Sequence, residues 1–196
     1  MPAAFGRPRD SSLDAAIITA TQAVLLDEGY SAVNIDRVAK LAGTTRAAVY
    51  RRASNATELV VMLLISRFGI DPAPDSGELR QDLLLLQRLQ RQFFSDPVMQ
   101  AALAGALTAI RDNDALAASF YDRFMAPRRT SVAAMLARAA ERGDIAHPQD
   151  PAVISDLLTG PLLLRTLMPF LGSLDDALID ATVKAALSAL GDKAST

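Results

Sequence analysis

The sequence predicts an all-α protein of about nine helices, and three observations support this prediction. No stretch of the 196 residues shows the sustained apolar/polar alternation with β-branched residues that is typical of a strand. Two Asp-Pro pairs, Asp96-Pro97 and Asp150-Pro151, place an N-cap acceptor before a proline at the first helical position. Four segments with helical periodicity end in a glycine, the residue best suited to a left-handed C-terminal cap. These glycines are Gly29, Gly43, Gly143 and Gly191.

Helix-breaking residues and loop-like segments predict where the helices end and where two domains separate. Pro127 falls within the seventh helix and is expected to kink or split it, because proline lacks a backbone N–H. The segment Ile70–Gly77, IDPAPDSG, has the strongest loop composition and marks a candidate seam. This seam would separate a small N-terminal domain from a larger helical body. The helices are expected near residues 12–28, 35–42, 46–52, 56–69, 78–94, 97–111, 113–141, 151–168 and 175–190.

The composition argues against an enzyme and against a metal or cofactor site. Apolar residues make up 51% of the chain, enough for a sizeable core, and charged residues make up 21%. There is no cysteine, which excludes disulfides, thiolate metal sites and a cysteine nucleophile. The one histidine, His147, lies in a loop pattern and is expected to be exposed. No phosphate-binding glycine loop and no nucleophile elbow is present, so we expect no catalytic residue, no metal and no cofactor.

Charge and hydropathy predict a cytoplasmic protein with no membrane partner. The basic N-terminal residues are not followed by an apolar run that would suit a signal peptide. The most apolar stretch, Leu157–Leu171, is too short to cross a bilayer and contains an arginine. Residues 1–67 carry 8 Lys and Arg against 6 Asp and Glu, whereas residues 68–196 carry 12 against 16. A mildly basic front on an acidic body is compatible with nucleic-acid binding by the front alone.

The segment from Asn34 to Arg52, NIDRVAKLAGTTRAAVYRR, has the spacing of two short helices joined by a glycine turn. Ala39 is small where the two helices would cross, Gly43 tolerates a positive φ in the turn, and Val49 can pack back on the first helix. By itself this spacing favours the alternative of an ordinary helical hairpin with a basic end. The inward face of the first helix is expected to consist of Ile35, Val38 and Leu41.

The second short helix carries residues suited to a duplex groove. Thr45 is a good N-cap. Small residues beside Arg46 would let the helix lie deep in a major groove, where arginine can contact guanine with two hydrogen bonds. The last turn would meet phosphates. The start of the exposed face is predicted to be Arg46, Ala47 and Ala48, and its last turn Tyr50, Arg51 and Arg52.

From Phe5 to about Val60 the chain resembles the TetR family of one-component transcriptional regulators. The resemblance rests on a basic GRPR arm, a first helix LDAAIITATQAVLLDEGY and the motif AGTTRAAVYRR, all in register. It implies a homodimer whose two recognition helices enter successive major grooves about 34–36 Å apart on a palindromic double-stranded DNA operator. It also implies a repressor released by a small-molecule effector. Residues 1–55 would be the DNA-binding domain and residues 56–196 the effector-binding and dimerisation domain.

The resemblance assigns candidate DNA contacts position by position. Arg46 matches a base-reading position, and Tyr50 and Arg52 match positions that meet phosphates. Asn34 begins the preceding helix, where a side chain and backbone amides can hold a phosphate. The complete candidate set is Asn34, Thr44, Thr45, Arg46, Ala47, Ala48, Tyr50, Arg51 and Arg52. In the N-terminal arm, Arg7 and Arg9 are expected to reach a groove or the backbone.

Two departures from the family pattern leave a second interpretation open. Ala53 replaces the usual Phe or Trp, which predicts looser packing behind the recognition helix. Ala56 replaces a frequent lysine, which removes one expected phosphate contact. The alternative is therefore a small-molecule-binding helical module with a weakened or vestigial DNA-binding head.

The last two predicted helices are apolar on more than one face. A helix that is apolar on two faces must bury both, and in this family the last two helices form a dimer bundle, so we expect a homodimer through them. The alternative is a buried core helix of a monomer. One stripe of the last helix comprises Leu174, Leu178, Ala181, Ala185 and Ser188, and another comprises Ile179, Val183, Ala186 and Leu190.

Aromatic and soft residues in the middle helices are candidates for an effector pocket, with plain core as the alternative for each. Arg165 lies in an apolar segment and needs a partner, either a carboxylate such as Asp156 or Asp122 or an anionic ligand. We favour the interpretation that Arg165 forms an internal ion pair. The candidate set is Phe93, Phe94, Met99, Leu103, Phe120, Tyr121, Phe124 and Arg165.

Overall fold

The computed structural model describes residues 11–69, 73–145 and 149–191. Over these ranges the chain is helical with no strand, and the all-α prediction is confirmed. Arg7, Arg9 and His147 lie outside the described residues. The helices are α1 (Ser11–Glu28), α2 (Ile35–Leu41), α3 (Arg46–Tyr50), α4 (Ala56–Phe68), α5 (Leu79–Ser95), α6 (Pro97–Arg111), α7 (Asp114–Phe120), α8 (Ala126–Arg142), α9 (Pro151–Leu167) and α10 (Asp176–Leu190).

The chain divides into two compact units, an N-terminal unit that ends at Arg67 and a C-terminal unit that starts at Phe68. In the N-terminal unit α1 packs on α2, and α2 packs on α3. In the C-terminal unit α10 packs on α5 and α9, and α9 also packs on α5 and α8. Short 3-10 turns lie at Tyr30–Ala32 and Pro169–Leu171.

The helix boundaries follow the capping residues read from the sequence. The Asp96 carboxylate accepts a hydrogen bond from Val98 N at 2.8 Å, and that of Asp150 accepts one from Ala152 N at 2.8 Å. Gly143 and Gly191 end α8 and α10 in the left-handed conformation, at φ 80° and 64°. Side chains with a Cβ are strained there, so glycine ends the helix at no steric cost.

The expected disturbance at Pro127 takes the form of a π-helical turn. Residues Tyr121–Met125 are π-helical and separate α7 from α8, and Pro127 follows two residues later. Proline cannot donate to the carbonyl of Arg123, four residues earlier, so regular α-helical bonding fails at this point. The predicted seventh helix is therefore split, and the described residues contain ten α-helices rather than nine.

The core of the C-terminal unit is formed by α5, α8, α9 and α10. This core is shielded from solvent. Ile154 and Leu158 of α9 have no exposed surface, and neither does Leu83 of α5. Burial of such leucine side chains supplies most of the stability of a helical bundle. The buried residues of this core are Leu79, Leu83, Val132, Met135, Leu136, Ala139, Ile154, Leu158, Val183, Ala186, Leu187 and Leu190.

Replacing Leu158 with alanine is expected to lower the free energy of unfolding by about 2–5 kcal/mol, because it removes buried methyl groups and leaves a cavity. The matched control is Leu89→Ala on α5, where 38% of the side chain is already exposed. That change is expected to cost about 1 kcal/mol or less. Urea unfolding followed by circular dichroism measures both, and equal losses would contradict the central position of Leu158.

One expectation about the first helix of the motif is wrong. Leu41 is 57% exposed, whereas Ile35, Val38 and Ala39 are buried. At 3.6 residues per turn Leu41 lies about 120° around α2 from Ile35. It therefore falls beyond the edge of the inward stripe, and Ala39 takes its place in the core.

No single described helix is long and apolar enough to cross a membrane. Among the described helices, only α5 and α6 taken together have that length and apolar composition, and they are bent by 79° at their junction.

Candidate functional site

The helix-turn-helix of the N-terminal unit is built from two capped helices and a tight turn. The Asn34 side chain accepts a hydrogen bond from Arg37 N at 2.9 Å, and that of Thr45 accepts one from Ala48 N at 3.2 Å. Both caps satisfy backbone donors that the first turn of a helix leaves unpaired. Gly43 has φ 63° in the turn between the helices. Gly43 therefore has the positive φ that the sequence predicted for the turn.

The inner side of this motif is buried. Val38 and Val49 are fully buried, and Ala39 retains 3% of its surface. Ala53 is also buried, with 1% of its surface exposed. Ala48 is 5% exposed and corrects the expectation that it lies on the outer face. The reason is that α3 buries Ala48 and Val49 together, so its outer face begins with Arg46 and Ala47 alone.

The outer side of α3 brings together five of the candidate DNA contacts. Tyr50 is 57% exposed and the Arg46 side chain is 68% exposed. Thr44 is half-buried in the turn. A short helix with two arginines and a tyrosine hydroxyl facing solvent can form hydrogen bonds to base edges and phosphates. The exposed candidates on this side are Thr45, Arg46, Ala47, Tyr50 and Arg51.

Two other candidates have side chains that are already engaged. The Arg52 guanidinium pairs with Asp14 on α1 and donates from Nη1 to Ala48 O at 3.1 Å, and its side chain is only 14% exposed. This differs from the exposed position we expected for Arg52. Asn34 is exposed, and its Nδ2 donates to Ala32 O at 3.1 Å while its oxygen caps α2.

The partner of Arg52 could not be identified from the sequence, because Asp14 lies 38 residues earlier and only the packing of α1 brings it near. The same holds for Tyr30, whose hydroxyl lies 2.7 Å from Thr57 Oγ1 in α4. Sequence reasoning also missed Asp36, whose carboxylate contacts Arg46 Nε. These contacts join the end of α3 to α1, the 3-10 turn after α1 to α4, and α3 to α2.

Four of the effector candidates form one aromatic cluster in the C-terminal unit. The Phe93 ring lies 5.0 Å from Phe94 and 6.0 Å from Phe124, and Phe124 stacks on Phe120 at 5.1 Å. Phe68, the last residue of α4, joins with its ring 4.7 Å from Phe93. Offset and edge-to-face pairs of this kind stabilise a core beyond their burial.

Arg128 contacts both this aromatic cluster and the residue that follows α4. Its Cζ lies 3.9 Å from the centre of the Phe124 ring, close enough for a cation–π interaction. Nη1 donates to Phe124 O at 2.7 Å, and Nη2 donates to Gly69 O at 2.6 Å. The carbonyl of Phe124 belongs to the π-helical turn. Arg128 therefore hydrogen bonds both to this turn and to the residue that follows α4.

Three of the other effector candidates differ in exposure. Met99 is buried, Leu103 is half-buried and Tyr121 is 52% exposed. A cavity of about 160 Å³ lies elsewhere in the C-terminal unit, between α8, the start of α9 and the end of α10. None of the candidates lines it, since its walls are Ala133, Leu136, Ala137, Ala140, Ile145, Gln149, Pro151 and Leu190.

Arg165 lies in the last turn of α9. Its Nη1 donates to Ser173 O at 2.6 Å. Asp156, one expected partner, instead pairs with Arg129. The pKa of Asp175 is lowered because Leu178 N and the Ser173 hydroxyl donate to its carboxylate, with a smaller contribution from Arg165. The charge of Arg165 is thus compensated by the turn that joins the last two helices.

The last two helices leave a row of small and apolar side chains exposed, here called the α9–α10 face. On α9 its members recur every three or four residues, which places them on one side of the helix. On α10 the stripe that contains Ile179 and Val183 is buried, whereas small residues on the opposite side are exposed. The face comprises Val153, Leu157, Gly160, Leu164 and Leu167 of α9 and Ala177, Ala181, Ala185 and Ser188 of α10.

The described ranges contain no group of three or more His, Cys, Asp or Glu residues placed to hold a metal ion.

Comparisons with known proteins agree with the architecture of both units. A sequence profile described as "Bacterial regulatory proteins, tetR family" matches residues 17–62, and one described as "Tetracyclin repressor-like, C-terminal domain" matches residues 73–186. The regulator YdeS of Bacillus subtilis is 30% identical over 169 residues, covering 83% of this chain and 82% of that protein.

Two further similarities extend over most of the chain. A protein of Mycobacteroides abscessus named "DNA-binding transcriptional repressor TetR" is 28% identical over 177 residues, 89% of this chain and 92% of its own. The crystal structure of the TetR family regulator SCO0332 superposes with a TM-score of 0.71 at 26% identity, covering 91% of this chain and 98% of that one. Family profiles match both units, and the helix-turn-helix of the N-terminal unit has an exposed outer face, so this chain belongs to the TetR family of DNA-binding transcriptional regulators.

Proposed function

We propose that this protein is a homodimeric repressor that binds a palindromic operator and leaves it when a small-molecule effector binds the C-terminal unit. The observation that carries the proposal is the outer side of α3, where Arg46, Tyr50 and Arg51 are exposed above a fully buried inner side. A helix presented in this way fits a major groove. The similar protein of M. abscessus is itself named a repressor, which supports the sign of regulation. Such a protein acts in the cytoplasm and carries out no catalytic step.

Dimerisation through the α9–α10 face supports this function. Large apolar patches exposed on a protomer mark interaction sites, and this face exposes several leucines together with small residues. A two-fold axis would bury the row against its own copy, because such an interface uses the same patch twice. The resulting dimer would carry two copies of α3, one for each half-site of the operator.

The aromatic cluster is the proposed effector-responsive element. Arg128 hydrogen bonds Gly69 O at the end of α4 and the carbonyl of Phe124 in the π-helical turn. A ligand that inserts among Phe93, Phe120 and Phe124 would have to displace these contacts. Differential affinity for two arrangements of this region is enough to change DNA affinity.

The direct test is selection of DNA ligands by the purified protein from a random duplex library, followed by fluorescence anisotropy with the selected sequence. We expect a palindrome with half-sites about one helical turn apart. A screen of small molecules by thermal shift then identifies effectors, since a ligand that binds the folded dimer raises its melting temperature. Failure of a folded dimer to select any sequence would contradict the proposal.

The alanine at position 56 gives a quantitative prediction about phosphate contacts. Ala56 begins α4, at a position where the family often has lysine. Ala56→Lys is expected to steepen the dependence of log K on log salt by about 0.9 per half-site, because one more phosphate is neutralised. Anisotropy titrations between 50 and about 200 mM salt measure the slope. Ala118→Lys, an exposed position in α7, is the control and should leave the slope unchanged.

A further inference from the structure

The Arg46 side chain is held by a carboxylate before any DNA is bound. Its Nε contacts Oδ1 of Asp36, the second residue of α2. The two side chains are 68% and 54% exposed, so the pair lies on the solvent side of the helix-turn-helix. Arg46 is the first residue of α3 and Asp36 lies in the first turn of α2. The contact therefore joins the recognition helix to the helix that precedes it.

The contact with Asp36 lies on the Nε side of the Arg46 guanidinium. A guanidinium has five N–H donors in a rigid fork, and four of them are on the two terminal nitrogens. The terminal nitrogens Nη1 and Nη2 can still form two parallel hydrogen bonds. Guanine presents two acceptors, O6 and N7, at its major-groove edge, and a bidentate arginine is the commonest specific contact to them.

We propose that Asp36 is a specificity-determining positioning residue that orients Arg46 to contact a guanine in each half-site of the operator. The proposal rests on the proposed function, since it assumes that α3 enters the major groove. An arginine held in one orientation loses less conformational freedom when it binds a base. Asp36 thus favours the one register in which a guanine meets the two terminal nitrogens.

The negative charge of Asp36 also favours the operator over unrelated DNA, because it weakens binding to unrelated DNA. Non-specific binding is almost entirely attraction between basic residues and phosphates. A carboxylate beside the recognition helix opposes this attraction and partly neutralises Arg46. Where no guanine is present, nothing compensates for that loss. Asp36 therefore raises the ratio of specific to non-specific affinity rather than affinity in general.

A purely structural role for the pair makes a different prediction. Exposed ion pairs contribute little to stability, and the N-terminal unit contains a second one, between Arg37 and Glu28, with side chains 46% and 39% exposed. If Asp36 only adds charge or stabilises α2, its removal should change binding to all duplexes alike. Glu28→Gln provides a matched control, because it also removes one carboxylate and frees one arginine.

The experiment compares wild-type protein, Asp36→Asn and Glu28→Gln on the selected operator, with each guanine replaced in turn by 7-deazaguanine, which lacks the N7 acceptor. In the wild type, one guanine per half-site should lose affinity by about fivefold or more. Asp36→Asn should bind the unmodified operator about three- to tenfold more weakly per half-site, bind unrelated DNA no more weakly, and lose its sensitivity to 7-deazaguanine there. Glu28→Gln should keep that sensitivity.

Two further variants make the result independent of the stability of α2. Arg46→Lys keeps the charge but cannot form two parallel hydrogen bonds, so it should also lose the 7-deazaguanine effect. Asp36→Asn added to Arg46→Ala should cause no further loss of discrimination. Equal changes of Asp36→Asn on operator and unrelated DNA, with the 7-deazaguanine effect intact, would overturn the inference. Absence of any sequence-specific binding by wild-type protein would instead overturn the proposed function.

Discussion

Replacing Arg46 with alanine is expected to weaken operator binding by about thirtyfold or more. A bidentate arginine–guanine contact contributes about 1–3 kcal/mol of discrimination, and a dimer makes it twice, so the loss is about 2 kcal/mol at least. The structure supports this because Arg46 is the first residue of α3 and its side chain is 68% exposed to solvent. The loss should be small on unrelated DNA. Anisotropy titrations with both duplexes measure the difference.

Arg111→Ala is the matched control for this prediction. Arg111 is 75% exposed and pairs with Asp112 at the end of α6, in the C-terminal unit. The change removes the same charge from the protein and should leave operator affinity within about twofold, since distant surface charges are screened. If both variants lose affinity equally, the effect is one of net charge, and Arg46 does not contact a base.

Replacing Leu164 with aspartate is expected to abolish the dimer. Leu164 lies in the middle of the α9–α10 face and is 48% exposed in the protomer. A two-fold interface would contain two copies of the new carboxylate in an apolar setting, and each unpaired buried charge costs several kcal/mol. We expect a monomer in sedimentation equilibrium and loss of operator binding, because each protomer alone contacts only one half-site.

Leu85→Asp tests whether this loss is specific to the α9–α10 face. Leu85 lies on α5 and is 44% exposed, so the chemical change and the initial exposure are closely matched. This variant should remain dimeric and bind the operator. A Leu164→Asp protein that still sediments as a dimer would show that a different surface joins the two copies, although the protomer fold would stand.

The sequence alone determined the helical elements of this protein to within one or two residues at most boundaries. The reason is that caps and breakers act locally. Asp96 and Asp150 accept hydrogen bonds from N–H groups two residues away, and Gly143 ends α8 through its own backbone conformation. The helix-turn-helix is predictable on the same grounds, since Gly43 and Val49 lie six residues apart and each meets a local steric requirement.

Only the tertiary structure decided which candidate residues are available for function. Arg52 pairs with Asp14 and Ala48 turns inward, so two predicted members of the outer face of α3 are occupied or buried. Arg46 and Asp36 meet across ten residues because α2 and α3 cross. Of the effector candidates, Phe93, Phe94, Phe120 and Phe124 come together as the aromatic cluster, whereas Arg165 contacts the turn before α10. Such contacts depend on how helices pack, and helical periodicity specifies an inward stripe without specifying which helix will cover it.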